Sequence, residues 1–424
     1  MSEGSAATPP IVPPITSREQ AEAADRNDPL AFVRDRFDLP PGVIYLDGNS
    51  LGPLPHGVAA AVADVVQRQW GADLITSWNR NGWWTLPARL GDRIGALVGA
   101  GAGQVLCGDS TSIQLFQAIT ALARLRPQRR TLVTDGANFP TDQYLADAAA
   151  ALLDMQVVRV SPAEVSGALG EDTAVVSFSA VDYRTGVRWD AGAITEQVHG
   201  AGALMLWDLA HVAGAMPFAL DDIGADAAVG CSYKYLNGGP GAPAWLYLAR
   251  RHQDAVLPLT GWQGAANPFA LEQHYLPAPG IERARIGTPS ILGMAALNAA
   301  LGVWDGVDLS VLRTKSLALS DVVIAYTDEH LATYGVQVVT PRDHARRGSQ
   351  VSLQMAHGYE VTQALIARGV IGDFRAPDLL RLGLPASYLR YVEVWDALEQ
   401  LRDVLATEAY TAPEFARNEA APVT

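Results

Sequence analysis

The feature that most constrains how this chain can fold is a regular alternation of short apolar runs and alanine-rich segments over residues 131–249. The runs are short and apolar, as in buried strands, whereas segments between them such as TDQYLADAAAALL have the spacing of helices. Strands that alternate with helices predict an α/β fold with a mostly parallel, doubly wound sheet. The predicted strands are TLVT (131–134), QVVRV (156–160), AVVSF (174–178), ALMLW (203–207), AAVG (227–230) and AWLYLA (244–249).

The pattern changes after about Thr288. A helical pattern starts at SILGMAALNAALGVW, and the runs VQVVT, SQVSLQM, VIGDF and LLRLGLP predict strands ahead of a closing helix. We therefore predict a large domain at 76–288 and a smaller α+β domain at 289–410. A segment at 31–75 is expected to contribute to the small domain and to dimer contacts. The composition of the two ends predicts a flexible leader over 1–30 and a loose tail over 411–424.

Charge and cysteine content exclude several classes of protein. The net charge of −14 argues against a general affinity for nucleic acid, whose phosphates require a basic surface. Two cysteines, Cys107 and Cys231, give neither a disulfide framework nor a zinc-ligand spacing and indicate a reducing compartment. The N-terminus lacks the basic start and apolar core of a signal peptide, and Asp208 and His211 interrupt the most apolar stretch. We expect a cytoplasmic protein that binds neither nucleic acid, nor a membrane, nor a metal.

Chemically active side chains follow the predicted strands. In a doubly wound sheet, ligands bind beyond the carboxyl ends of the strands, so side chains at these points are candidates for a site. Asp208 follows ALMLW directly, and Lys234 follows the AAVG strand after a short turn. The other candidates at strand ends are Phe139, Pro140, Thr141, Asp142, Ser179 and His211.

A hydroxyl-rich helix start follows a further strand, VLC. Ser110 and Thr111 open the helical pattern STSIQLFQAITALARL, where hydroxyls can cap the helix or donate to a phosphate. A lysine, a carboxylate and such a helix start together are what pyridoxal phosphate chemistry requires. The lysine binds the cofactor's aldehyde, the carboxylate keeps the pyridine nitrogen protonated, and the helix start binds the phosphate.

Each of these residues also has an ordinary structural explanation. A lone lysine in a glycine-rich loop is usually a surface residue, and an aspartate after a strand is often a turn or cap residue. His211 alone would more often be a semi-buried histidine with a structural partner, and hydroxyls at a helix start usually serve as caps. These explanations would have to hold independently on successive strand ends, which favours the cofactor site.

Five motifs closely resemble those of the kynureninase family, in order and without large gaps from about residue 30 to 407. The specific part is DLAH followed by SYKYLN. The resemblance implies the aspartate-aminotransferase fold type of pyridoxal phosphate enzymes, in which a homodimer shares its active sites. The motifs are YLDGNSLGPLP (45–55), FPTD (139–142), LWDLAHVAGAMP (206–217), CSYKYLNGGPGAPAWLY (231–247) and TGWQG (260–264).

The resemblance also implies roles for single residues. Lys234 would bind the cofactor covalently and move the Cα proton, Asp208 would oppose the ring nitrogen, and Phe139 would stack on the ring. Tyr233 would lie on the phosphate side as a candidate general acid. Arg381 rather than the nearby Arg375 would clamp the substrate α-carboxylate. Further positions that match cofactor contacts are Ser110, Thr111, Pro140, Thr141, Asp142, Ser179 and His211, together with Trp262 and Thr288 lent by the other subunit.

The activity implied is hydrolysis of the Cβ–Cγ bond of L-kynurenine to anthranilate and L-alanine. Trp78, in SWNRNGWW, is a candidate for the aryl pocket, with interfacial packing as the alternative. Thr288 stands at a position where the family has Asn or Thr. With Thr288 in place of an amide and Trp78 nearby, an apolar pocket leaves the extra hydroxyl of 3-hydroxykynurenine without a partner. We therefore expect 3-hydroxykynurenine to be the poorer substrate.

Other readings remain open at this point. A cysteine desulfurase or selenocysteine lyase needs a cysteine far downstream of the lysine, and none follows Cys231. A cysteine-independent lyase and an aminotransferase share the fold and the cofactor. A binding protein that has lost catalysis is disfavoured because Lys234, Asp208 and Arg381 are all present.

Overall fold

The computed structural model describes residues 13–417. The remaining parts of the predicted leader and tail, residues 1–12 and 418–424, lie outside the described residues. The strands are β1 Ile44–Tyr45, β2 Val105–Cys107, β3 Thr131–Asp135, β4 Gln156–Val160, β5 Thr173–Ser179, β6 Leu204–Asp208, β7 Ala227–Gly230, β8 Trp245–Leu248, β9 Gln337–Val338, β10 Gln350–Gln354, β11 Val370–Ile371, β12 Asp373–Arg375 and β13 Leu379–Gly383. The α-helices are α1 Arg18–Arg26, α2 Ala31–Arg34, α3 Val58–Asp64, α4 Ser77–Arg80, α5 Leu86–Leu97, α6 Thr111–Arg124, α7 Pro140–Leu153, α8 Val165–Ala168, α9 Ala191–Gly200, α10 Ile291–Ala300, α11 Leu309–Tyr326, α12 Gly358–Ala367 and α13 Tyr391–Ala406.

The chain divides into two compact units. The sheet unit comprises residues 54–183 and 188–302, and the second unit comprises the described residues up to 53, 184–187 and from 303 onward. The sequence-predicted segment 31–75 is therefore split between the units, and residues 289–302 belong to the sheet unit. The physical reason for the second difference is that α10 packs against α3 and α5, both of which are in the sheet unit.

Within residues 13–417, the sheet unit contains a seven-stranded sheet of order β2-β8-β7-β6-β5-β3-β4. The strands from β7 to β4 pair in parallel, whereas β8 is antiparallel to both of its neighbours. All six strands predicted over residues 131–249 are present, and the predicted α/β fold with a mostly parallel sheet is confirmed.

The core of the sheet unit explains why these short runs form strands. β6, β7 and β8 are buried almost throughout, because helices cover a parallel sheet on both faces. Phe178, Trp207 and Trp245 are among the largest fully buried side chains. The apolar residues in the middle of each strand pack in the core, so the side chains available for chemistry lie at the strand ends. Ser179 and Asp208 are in register at the carboxyl ends of β5 and β6.

The second unit has a four-stranded sheet of order β12-β13-β10-β9 and a parallel pair of β1 with β11, among its described residues. The prediction of a flexible leader over 1–30 is wrong for the part that is described, since α1 occupies 18–26 and packs against α13. Ser17 caps α1, and the Asp25 carboxylate accepts from the backbone N–H groups of Tyr391 and Val392 at 2.7 and 3.0 Å.

Within the described residues 13–417, no single helix is both long and apolar enough to span a bilayer, and one bent pair of helices, Ile291–Trp304 with Leu309–Tyr334, meets that criterion only jointly.

Candidate active site

Lys234 lies in the turn that follows β7 and is held close to His211. Its Nζ is 3.0 Å from His211 Nε2, and 6.0 Å from the centre of the Tyr233 ring. Asn237, which adopts a left-handed backbone conformation with φ 58°, donates its N–H to the Lys234 carbonyl at 2.9 Å. The SYKYLN turn therefore places the Lys234 amine at the carboxyl end of the parallel strands, within a cluster of side chains. It is not a solvated surface lysine.

Asp208 ends β6 and faces the same cluster. Its Oδ1 accepts the Ala210 N–H at 2.7 Å, and its Oδ2 lies 3.2 Å from the Ser179 hydroxyl. Burial raises the pKa of the Asp208 carboxyl, while the Ala210 N–H and the charge of Lys234 act in the opposite direction. Asp208 and Lys234 therefore interact electrostatically across the cluster.

Asp142, on the first turn of α7, brings a second carboxyl to Asp208. It is buried, and burial together with the negative charge of Asp208 raises its pKa well above the ordinary value. Its Oδ2 is buried without a hydrogen-bond partner. Two buried carboxyls that repel each other, one with an unused oxygen, form a site suited to a cationic N–H group.

Phe139 stands at the start of α7 with Pro140 as the first helical residue and Thr141 in the first turn. A proline in this position matches the backbone angle required there and removes an N–H that no helix carbonyl could accept. The Phe139 ring packs edge-on against Tyr183 with ring centres 5.2 Å apart, yet 44% of the side chain is exposed. One face of this ring is therefore available to stack on a planar ligand.

The start of α6 provides an anion-binding end. Ser110 is the N-cap, and its Oγ accepts the Ile113 N–H at 3.4 Å; Thr111 is the first helical residue. At 14 residues, α6 carries a full set of unsatisfied N–H groups and a helix dipole at this end. Hydroxyls and N–H groups of this kind suit a phosphate.

Burial sets the protonation state of Tyr233 and Cys231. It raises the pKa of the Tyr233 phenol, and the nearby Cys231, Asp208 and Asp142 add to the effect. Burial likewise raises the pKa of the Cys231 thiol. Tyr233 therefore keeps its proton at neutral pH and can donate it, whereas Cys231 is a neutral thiol and a poor nucleophile.

The residues of the sheet unit fit pyridoxal phosphate. The orphaned Asp142 oxygen and the buried Asp208 suit a protonated ring nitrogen, Phe139 offers a stacking face, and the amine of Lys234 lies in the same cluster. Lys234, His211, Asp208, Ser179 and Asp142 are brought together, as the sequence predicts.

Arg381 belongs to a separate cluster in the second unit. It lies on β13 with 1% of its surface exposed, and its Nε donates to Asp373 Oδ1 at 2.8 Å. One terminal nitrogen bonds to Ser50 Oγ at 2.8 Å and to Asp373. Arg375 also binds Asp373, at 2.6 Å. Arg381 and Arg375 are therefore held by one shared carboxylate.

Trp262 and Trp78 lie in an aromatic cluster of the sheet unit. Trp84 joins them, with ring centres 5.9 Å from Trp262 and 6.2 Å from Trp78, and Phe269 lies 5.1 Å from Trp84. Trp262 is 42% exposed, and Thr288 is also exposed. That Trp262 and Thr288 serve the phosphate site of another subunit stays a prediction.

Sequence reasoning missed Asn138, Ser50 and Asp373, which hold the predicted residues in place. Asn138 Oδ1 accepts the Ser179 hydroxyl at 2.8 Å, and Ser50 and Asp373 bind Arg381. Asn138 directly precedes the FPTD motif, and Ser50 lies within the YLDGNSLGPLP motif. Asp373 is an acidic residue inside the apolar run VIGDF, which is a signal of a buried ion pair.

Comparison of the solved structures supports the fold. The apo cysteine desulfurase of Thermococcus onnurineus NA1 is similar with a TM-score of 0.76 and 18% identity, covering 89% of this chain and 98% of that one. A C-DES variant with glycine linked covalently to its PLP cofactor has a TM-score of 0.76 and 16% identity, covering 87% of this chain and 99% of that one. At these identities the likeness concerns the fold alone.

Sequence comparison is more specific. A family model described as the kynureninase C-terminal domain matches residues 312–401. A kynureninase of Burkholderia pseudomallei strain 1106a is 50% identical over 410 residues, covering 95% of this chain and 99% of that protein. A kynureninase of Deinococcus radiodurans is 47% identical over 399 residues, covering 92% of this chain and 97% of that protein. With half of its residues identical over nearly its whole length, and with the Lys234 cluster in place, the chain belongs to the kynureninase family.

Proposed function

We propose that this protein is a pyridoxal phosphate-dependent hydrolase that cleaves the Cβ–Cγ bond of L-kynurenine to give anthranilate and L-alanine. The observation that carries the proposal is the cluster of Lys234, His211, Asp208 and Asp142 at one sheet edge, in a chain that is 50% identical to a kynureninase over 95% of its length. A cysteine-dependent lyase is disfavoured because the thiol nearest the lysine, Cys231, is buried and its pKa is raised.

When bound, pyridoxal phosphate supplies an aldehyde that joins covalently to amines and a ring that accepts the electron pair released at the substrate's Cα. Lys234 is the amine that the aldehyde would join, and Ser110 and Thr111 would hold the phosphate. Asp208 and Asp142 would favour the protonated ring nitrogen, whose N–H would donate to a carboxylate and whose positive charge would relieve their mutual repulsion. Phe139 would cover one face of the ring.

Lys234 and Tyr233 are the groups that move protons. The Lys234 amine, 3.0 Å from His211 Nε2, removes the proton from the substrate Cα and can return it. Tyr233 keeps its phenolic proton because burial raises its pKa, and it donates that proton during C–C cleavage. The attacking water adds to the γ-carbonyl of the substrate, which sets this reaction apart from a transamination.

Arg381 binds the α-carboxylate of the substrate in this proposal. A guanidinium presents two parallel N–H groups to a carboxylate, which fixes orientation as well as charge. Asp373 holds Arg381 through its Nε and one terminal nitrogen, so the side chain is already ordered before a substrate arrives. The entropy cost of ordering this long side chain is therefore part of folding and does not weaken substrate binding.

The preferred substrate is L-kynurenine rather than its 3-hydroxy form. Thr288 has a single short hydroxyl and a methyl group where an amide would offer a separate oxygen acceptor and an NH2 donor with a longer reach, and Trp78 adds an apolar ring. Thr288→Asn should raise the kcat/KM ratio of 3-hydroxykynurenine to kynurenine, whereas equal efficiency of the original protein on both substrates would refute the preference.

The enzyme acts as a homodimer in the cytoplasm. The exposed Trp262 and Phe269, at 42% and 74%, form an apolar surface of the kind that a second copy covers. Trp262 and Thr288 then serve the phosphate site of the other subunit. Two free cysteines fit a reducing compartment.

Incubation of the cofactor-loaded protein with L-kynurenine tests the function. Anthranilate should appear by fluorescence together with an equal amount of L-alanine, and Lys234→Ala should form neither. Borohydride should fix the cofactor to the original protein but not to this variant. Formation of a keto acid without anthranilate would identify an aminotransferase and overturn the proposal.

A further inference from the structure

Asn138 links two of the strand-end residues, Phe139 and Ser179, through one oxygen atom. It lies between β3 and α7, is buried, and its Oδ1 accepts both the Phe139 N–H and the Ser179 hydroxyl, each at 2.8 Å. The Phe139 N–H fixes which end of the amide faces Ser179, because the amide nitrogen could not accept that proton. Asn138 therefore presents an acceptor to Ser179.

The Ser179 hydroxyl stands between two acceptors but has one proton. Asn138 Oδ1 is 2.8 Å from Ser179 Oγ, whereas Asp208 Oδ2 is 3.2 Å away. The shorter contact favours donation to Asn138, whereas the longer hydrogen bond from Ser179 to Asp208 lowers the pKa of Asp208 when it forms. Since Ala210 already donates to Oδ1 of Asp208 at 2.7 Å, Oδ2 is the oxygen left for a ligand.

A hydrogen bond donated to a carboxylate stabilises its charged form and makes it a weaker base. If the Ser179 proton turned to Asp208, the carboxylate would hold the proton of a cofactor ring nitrogen less strongly. Burial acts in the other direction, toward a more basic Asp208, while the Ala210 N–H and the charge of Lys234 lower its pKa. Among these influences on the basicity of Asp208, the Ser179 hydrogen bond is the one that a neighbouring acceptor, Asn138, controls.

We infer that Asn138 is a positioning residue that withdraws the Ser179 proton from Asp208 and so keeps Asp208 basic toward the ring nitrogen of the cofactor. The inference deepens the proposed function and depends on its assignment of Asp208 to the ring nitrogen. Asn138 itself need not touch the cofactor, and its effect passes through Ser179.

Two substitutions at Asn138 separate this role from a purely structural one. Asn138→Ala removes the acceptor, so the Ser179 proton turns to Asp208 and the ring nitrogen is protonated less. Asn138→Asp has the same shape and keeps the acceptor for both donors, while its charge makes Asp208 more basic. A loss of local structure would move both variants in the same direction, whereas the inferred role moves them in opposite directions.

The readout is the visible absorption of the bound cofactor against pH, without substrate. A less protonated ring withdraws fewer electrons from the nitrogen that joins Lys234 to the cofactor, so that nitrogen titrates at higher pH. Asn138→Ala should raise the titration midpoint by up to about one pH unit, which is the size of one hydrogen bond to a charged group. Asn138→Asp should lower it or leave it at the original value.

A Ser179→Ala background completes the experiment. There, Asn138→Ala should shift the midpoint little further, because no hydroxyl remains to turn. Gln143→Ala is the matched control: Gln143 donates to the backbone carbonyl of Asn138 at 3.3 Å, and this variant should keep the original midpoint. Equal shifts with and without Ser179, or shifts of the same sign in both Asn138 variants, would overturn the inference. Anthranilate formation by the original protein tests the proposed function separately.

Discussion

Burial, more than any single charge, sets the chemistry of the residues around Lys234. Asp142, Asp208 and Tyr233 all have raised pKa values, and removal from water is the largest cause for each. A carboxyl kept basic and a phenol kept protonated are what a proton acceptor and a proton donor need near neutral pH. The surroundings of each residue thus set its role in proton transfer, with a division between proton acceptors, the carboxyls, and a proton donor, the phenol.

Tyr233 tests this division directly. Tyr233→Phe keeps the ring near Lys234 but removes the phenolic proton, so kcat should fall by about 10²–10⁴-fold, the usual contribution of a general acid. Cofactor binding, followed by absorbance after dialysis, should persist. Tyr144→Phe on the exposed face of α7 is the control and should have the original kcat. Full activity of Tyr233→Phe would remove Tyr233 from the mechanism.

Asp47, beside Asp373 in the second unit, gives a prediction about how the free energy of unfolding depends on pH. It is buried, its Oδ1 has no hydrogen-bond partner, and burial followed by the charge of Asp373 raises its pKa to about 7. The folded protein therefore keeps this proton up to about pH 7, whereas the unfolded chain releases it near the ordinary value of about 4. As pH rises through this window, ionisation of Asp47 lowers the free energy of unfolding.

Asp47→Asn should remove this loss. At pH 8 the variant should exceed the original protein in free energy of unfolding by up to about 4 kcal/mol, and the two should converge near pH 4. Urea unfolding at several pH values measures the difference. A difference that stays constant over this range would show that ionisation of Asp47 is not its cause.

At the scale of elements, close backbone approach decides which helix positions tolerate a side chain. Gly91 and Gly95 both lie in α5, which packs against β2. A Cβ at Gly91 would be 2.0 Å from the Val105 carbonyl oxygen, whereas a Cβ at Gly95 would be 3.3 Å from its nearest atoms. Gly91 is therefore needed for the contact between helix and strand, and Gly95 is not needed to the same degree.

The two glycines make a matched pair of variants. Gly91→Ala should lower the free energy of unfolding by roughly 2 kcal/mol or more, because the helix must move off the strand. Gly95→Ala should change it much less, since the helix propensity gained, about 1 kcal/mol, offsets a slight contact. Denaturant midpoints compare them. Equal destabilisation by both would contradict the role given to the Val105 approach.

At the scale of the whole molecule, the proposed sharing of sites between subunits makes a prediction about mixtures. Lys234→Ala removes the amine from one subunit's own site, whereas Trp262→Ala would impair the phosphate site of the other subunit. In a mixed dimer of these variants, one site carries both defects and the other carries neither. Activity should therefore return on mixing, although each variant alone is impaired.

Subunit exchange measures this complementation. Random reassortment of equal amounts should restore roughly a quarter of the original activity, since half of the dimers are mixed and each has one intact site. Sedimentation should show the dimer before and after mixing. If the dimers exchange subunits and activity stays at the average of the two variants, Trp262 serves its own chain.

The sequence by itself determined the fold class and the positions of the reactive groups. The alternation of apolar runs and helical segments predicted the six strands over 131–249, because strands buried on both faces, such as β6, β7 and β8, are short continuous apolar runs. The motifs at the strand ends marked Lys234, Asp208 and Asp142 because parallel strands bring their carboxyl ends to one edge. Both signals are local in the chain, and local patterns can be read without coordinates.

The tertiary structure decided what depends on distant partners. The helix α1 was missed because its stability comes from packing on α13, nearly the whole chain away. The pairing of Arg381 with Asp373 and Ser50, and of Ser179 with Asn138, likewise joins separate segments. Which acceptor receives the proton of a hydroxyl, and how basic a carboxyl becomes, follow from burial and sub-ångström differences in distance, and neither is encoded at one place in the sequence.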